Sequence, residues 1–433
     1  MRASQARREN DWVTRVYVAV AADGPQSTVS RISLRPVCAG RGSREEKALR
    51  FKRGVAVAAI ALTSVLSVVG CAKDSGTSNN APGDAGGSKG CQTVDKPAAA
   101  EGGATSSDPG ASVDGSKLKV GLAFDIGGRG DASFNDSAAA GLDEAISQMG
   151  VKKVNTKELT ATDQESEDAK QARLRQLAQE GRNPIVAVGF AYSTAAVEVA
   201  KQYPNLKFAV IDGFAEGAPK NVTFLGFAEH EGSFLVGVIA ALKSEKCTIG
   251  FVGGVNIPLI QKFQAGFEQG VKAVAPDAKV ESTYITEAGD LTGFTDAPKG
   301  QVAAKGLIDK GADVVYHAAG ASGKGVFAAA KEANVMAIGV DSDQYNQATV
   351  AEYKDVIISS MLKRVDVAVY DYIAAVASND LTKLPPVFDL KVDGVGYSTS
   401  GGKIDAETQE WVDAYKQQII DGKITVSDAP SGS

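Results

Sequence analysis

Three aspartates close short apolar runs: Asp125 follows VGLAF, Asp212 follows FAVI and Asp341 follows AIGV. Glycines hold the same place elsewhere, with Gly189 after IVAV, Gly253 after IGFV and Gly320 after VVYHAA. An ionised carboxylate only accepts hydrogen bonds, and a glycine lets a ligand approach the backbone. This set therefore suits binding of a molecule rich in O–H and N–H donors. Taken singly, each Asp reads first as a helix cap or turn former. Their recurrence at equivalent strand ends in two halves of the chain points to a shared cleft. Two aromatics echo the pattern, Phe134 in SFND and Phe294 in GFTD. Each is either a hydrophobic staple on its own helix or one of two rings facing a flat ligand. Asn135, beside Phe134, is needed by neither cap nor core in this reading.

The elements that must hold these residues alternate strand and helix from Lys117 onward. Strands are expected at 118–124, 153–159, 184–188, 206–211 and 222–225, with helices near 134–149, 164–180 and 191–202. After a long helix near 229–244 come strands at 247–252, 278–284, 313–316 and 335–339, with helices near 257–274, 297–310 and 322–333. Ser133 and Asp136 have capping-box spacing ahead of the 134–149 helix. Two βαβ series imply an α/β protein of two doubly wound parallel-sheet domains joined by a hinge. The strand 356–360, the helix 362–378 and strands near 387–390 and 395–398 are expected to cross between domains, and a last helix, 406–421, to dock on the second. The expected lobes are 117–229 plus 360–384 and 230–359 plus 385–426, with 427–433 a disordered tail.

The amino end has a different character. Of the 46 Lys+Arg and 52 Asp+Glu, the first 71 residues hold 12 and 5, which leaves the remainder at a net −13. Such a body argues against nucleic-acid binding. Residues 1–45 read as an over-extended start. From Arg50, basic residues precede an apolar run of about 15 residues, too short to span a membrane comfortably but right for a signal peptide. LSVVGC, residues 66–71, resembles a lipoprotein lipobox, which implies lipidation (palmitate) at Cys71 and a chain outside the cell membrane. Residues 72–116 are Gly-, Ser-, Ala- and Pro-rich and read as a disordered tether. Cys91 and Cys247 could pair or remain free thiols; spacing alone does not decide. Two histidines and scattered cysteines form no metal or cofactor motif, and no nucleophile elbow or phosphate loop is present.

FDIGGRGDASFNDSAAAGL, FAVIDG, FLGFAEHEGSFLVG, GFTDAPKG and HAAGASGKGVFAAA together resemble the basic membrane protein family of substrate-binding lipoproteins. That family includes purine nucleoside receptors that feed ABC transporters. The resemblance covers about residues 117–425 and implies a type I periplasmic-binding fold, a monomer without enzymatic activity, and a permease partner. It implies that guanosine, inosine or adenosine binds between the lobes. Carried over by motif, Phe134 and Phe294 stack on the base, and Asn135 and Asp212 bond its edge. Asp125, Asp341 and Lys363 hold the ribose, and Gly320 gives backbone access. Phe227 and Phe263 are alternatives to Phe294. A ligand sensor for a membrane signalling partner and a sugar receptor are the competing functions.

Overall fold

The computed structural model describes residues 90–98 and 113–430 of the 433. The apolar leader, Cys71 and most of the low-complexity segment lie outside the described residues. The first sheet contains β1 (Gly121–Phe124), β2 (Lys157–Thr160), β3 (Ile185–Val188), β4 (Phe208–Ile211) and β5 (Val222–Leu225). All its pairings are parallel, in the order β2-β1-β3-β4-β5. The expected 153–159 strand starts late because Lys153–Asn155 form a tight turn. Helices α1 (Phe134–Gln148), α2 (Glu167–Gln179) and α3 (Ser193–Gln202) supply the crossovers. Strands β1, β3 and β4 are buried along their whole length, as a parallel sheet covered on both faces requires.

The second sheet runs β11-β10-β9-β8-β6-β7. Its strands are β6 (Thr248–Asn256), β7 (Lys279–Glu287), β8 (Val314–Ala318), β9 (Met336–Asp341), β10 (Ile357–Lys363) and β11 (Val395–Tyr397), of which only β11 is antiparallel to its neighbour. Helix α4 (Glu229–Lys243) crosses α5 (Pro258–Val274) closely because α5 carries glycines at the crossing. A Cβ on Gly266 would stand 1.9 Å from the His230 carbonyl oxygen, and one on Gly270 2.0 Å from that of Phe234. Helices α6 (Ala297–Asp309) and α7 (Gly323–Ala333) pack together beside β6 and β8.

Segments 226–229, 363–365 and 378–394 connect the two sheets. Strand β10 stays in the second sheet to Lys363, so the chain leaves that lobe at Arg364 and not at 360. Helix α8 (Val365–Ala377) then packs on α1 of the first lobe. Residues 387–390 make no strand; Phe388 instead bridges to Phe227 and stacks on its ring at 5.2 Å, pairing the first and third crossings. Helix α9 (Ala406–Ile420) docks on α4, with Tyr415 against Phe234. Cys91 and Cys247 form a disulfide. Residues 90–98, counted by composition in the free tether, thus run along the second lobe, and Val94 N–H donates to the Val274 carbonyl. In the expected tail, Ser427 exchanges hydrogen bonds with Gln269.

Candidate functional site

In open parallel sheets the ligand crevice lies beyond the strands' carboxyl ends, where the strand order reverses. Here those points fall between β1 and β3 and between β6 and β8, and the two face one cleft. It is lined by Asp125, Phe134, Asn135, Asp212, Phe294, Gly320, Asp341 and Lys363, together with Phe190 and Phe263. The space measures about 620 Å³, part of it open to solvent. All eight residues expected to bind a ligand are therefore brought together. Phe263 joins them, whereas Phe227 lies behind the cleft against Phe388.

Within that cleft the loop before α1 is held differently from expectation. Ser133 does not cap the helix with its side chain. The Asp131 carboxylate does so, accepting from the backbone N–H groups of Ser133, Asn135 and Asp136 at 2.8–3.1 Å. Asn135 is buried and its amide is committed locally. Its Oδ1 accepts from Asp125 N–H, and its Nδ2 donates to the Ile126 carbonyl and to Asp131. It positions the strand end, with no amide hydrogen left for a ligand. Freed from capping, Ser133 Oγ donates to Asp341 at 2.6 Å, and Ser342 Oγ donates to the Ser133 carbonyl, so the lobes touch. Ala132 completes this contact by burying itself among Phe327, Ala330 and Ile357 of the second lobe.

The charges converge on one cation. Lys363 Nζ lies 2.6 Å from Asp212 and 3.2 Å from Glu229, all three side chains being at most 3% exposed. Phe134, Phe227 and Phe263 present their rings to the same ammonium at 5.0–5.6 Å. Burial alone would lower the Lys363 pKa, but Asp212, Glu229 and Asp341 reverse that and hold it above its ordinary value. Asp212 Oδ1 has no hydrogen-bond partner. Asp212 and Asp341 occupy matching strand ends with matching left-handed backbones, φ +60° and +63°. Asp125 keeps part of its surface on the cleft, and Gly189 admits it, because a Cβ there would sit 2.3 Å from its carboxylate. Phe294 rests on Gly254 in the same way. Glu229 went unnoticed in the sequence, where FAEHEG shows only an acidic helix start.

Two lobes facing one cleft at the ends of parallel strands are an architecture shared with solute-binding proteins. A solute-binding protein of Aeropyrum pernix K1 has the same fold, with 28% identity, a TM-score of 0.61, and 73% of this chain and 94% of that one covered. Residues 117–429 match the Bmp family, described as ABC transporter substrate-binding protein PnrA-like, and the chain belongs to that family. It is a binding protein and not an enzyme. Among its relatives, the ABC transporter nucleoside-binding protein BmpA of Lactococcus lactis is 32% identical over 400 residues, covering 87% of this chain and 99% of its own. The CD4+ T-cell-stimulating antigen of Listeria monocytogenes is 36% identical over 325 residues, covering 72% and 88%.

The three cleft acids hold their protons to a higher pH than usual. Burial pushes Asp125, Asp212 and Asp341 each up to about 6, above the usual value of about 4. In the free protein their contribution to fold stability is full below about pH 4 and fades as pH rises through about 6. A ligand that donates hydrogen bonds needs the ionised form, so for binding the sign is opposite. Affinity should fall from about pH 7 to about pH 5, with protons released on binding near pH 6. Calorimetry in two buffers of different ionisation enthalpy counts them; proton uptake, or none exchanged, would contradict these roles.

Proposed function

We propose that this chain is an extracytoplasmic lipoprotein, anchored through Cys71, that binds a purine nucleoside between its lobes and delivers it to an ABC permease. The observation that carries the reading is the pairing of aromatic and charged groups in one cleft. Phe134 comes from the first lobe and Phe294 from the second, and both line a space that also holds Asp125, Asp341 and the Asp212–Lys363 pair. A base offers a π-face on both sides, and each lobe brings one aromatic ring to the cleft. The nucleoside-binding relative in Lactococcus supports the same substrate class.

We assign the ligand roles differently from the motif. Asp212 and Lys363 touch at 2.6 Å, which favours one shared end of the ligand for both over a division between base and ribose. We place the sugar at this pair and Asp341, where donor and acceptors alternate. Asp125 is then the acceptor for the base edge, since one of its oxygens takes the Ile126 N–H and the other is uncommitted by any such bond. An acceptor favours the ring N–H of guanosine and inosine over adenosine, which lacks it. A ligand touching both lobes stabilises the closed arrangement, because only such a ligand distinguishes open from closed.

For the anchor, labelled fatty acid should enter the wild-type protein and not a Cys71→Ser variant; labelled, membrane-bound Cys71→Ser protein would refute it. For the ligand, a calorimetric panel of guanosine, inosine, adenosine, uridine and ribose is the test. Phe134→Ala should weaken all three purine nucleosides by a similar factor, about 5- to 150-fold, the equivalent of about 1–3 kcal/mol. Asp125→Asn should change their order. Ribose binding as tightly as the nucleosides, with Phe134→Ala harmless, would leave a sugar receptor in place of this reading.

A further inference from the structure

Glu229 belongs to the charge cluster but does not line the cleft. It is the first residue of α4, on the first crossing between the lobes, and its side chain is 1% exposed. One oxygen stands 3.2 Å from Lys363 Nζ; the other has no hydrogen-bond partner and faces Lys262 Nζ at 3.6 Å. Its route to a bound ligand therefore runs through Lys363.

An ammonium has three N–H donors on a rotatable stem. Asp212 accepts one of them, the Glu229 carboxylate attracts the ammonium as an ion partner at 3.2 Å, and the rings of Phe134, Phe227 and Phe263 wall its flanks. The Asp212 bond and the Glu229 charge together hold the ammonium in place, and Lys363 lines the cleft, where a remaining N–H is available. Without Glu229 the ammonium keeps its charge and its bond to Asp212 but loses the second carboxylate that holds its position, so the stem can shift.

We propose that Glu229 is a positioning residue of the binding site: from outside the cleft it aims the remaining N–H of Lys363 and thereby sets the discrimination for a sugar hydroxyl. This rests on the placement of the sugar at Lys363 given above. Glu229 lies in the first crossing and Lys363 at the start of the second, so the same ion pair joins the hinge to the site.

The test is calorimetry of the whole protein with two ligand pairs, guanosine against 2′-deoxyguanosine and ribose against 2-deoxyribose. Wild type should prefer the hydroxyl-bearing member by about tenfold or more. Glu229→Gln should still bind but narrow that preference to about twofold. In a Lys363→Met background the same change should alter nothing further, as coupling through Lys363 requires. An unchanged preference in Glu229→Gln, or an equal loss in both backgrounds, would show a merely structural ion pair and overturn the proposal. Should Glu229→Gln fail to fold, Glu229→Asp keeps the charge with a shorter reach and should give an intermediate preference; a wild-type preference there overturns it equally. Failure of the nucleoside reading appears separately, as ribose matching guanosine on wild type, and the ribose pair then decides the role of Glu229.

Discussion

A single buried ammonium, that of Lys363, is shared between Asp212 and Glu229, and much of the molecule is arranged around that sharing. The three groups come from the end of a first-lobe strand, the first crossing, and the last residue of β10. Bringing such charges out of water is expensive, and a buried ion pair is often no more stabilising than well-packed apolar residues. Removing one partner is another matter, since it strands a buried charge at about 3–5 kcal/mol. The cluster therefore makes sense as a specifier of geometry. It fixes where two crossings meet and leaves Asp212 Oδ1 without a hydrogen-bond partner.

Contacts between the lobes follow the same economy. Ala132, in a left-handed conformation at φ +58°, lies in an apolar pocket of the second lobe while Ser133 bonds to Asp341. Asp131 makes this possible by capping α1 in place of Ser133, which releases the serine hydroxyl to cross the gap. One short loop thus caps a helix, presents Phe134 to the cleft and touches the opposite lobe. Its acids and amide are tied together tightly enough that Asn135 belongs to the loop's architecture.

The alternation of strands and helices was readable in the sequence because parallel strands buried on both faces are nearly continuous apolar runs, and IVAV and FAVI have no other use. Strand-end aspartates and the two phenylalanines were readable for another reason, since they recur at equivalent places in the two halves of the chain. What stayed hidden depends on partners distant in the chain. Glu229 looks like any first-turn acid until Lys363, 134 positions later, is beside it. Asn135 looks free until Asp125 and Asp131 fold around it. The VFDL stretch has strand-like composition, yet Phe388 is taken by a crossing and a ring stack on Phe227. The Cys91–Cys247 bond, likewise, could not be chosen over two free thiols from spacing alone.

The central claim is that the Asp212–Lys363 pair receives the sugar of a nucleoside whose base lies between Phe134 and Phe294. A crystal structure of the protein with guanosine tests this most directly. The account predicts Lys363 Nζ at about 3 Å from a ribose hydroxyl, the purine flanked by the two rings, and the Asp125 carboxylate on the base edge. A ligand whose base meets Lys363 while its sugar hydroxyls point to solvent, or one bound away from both rings, would contradict it.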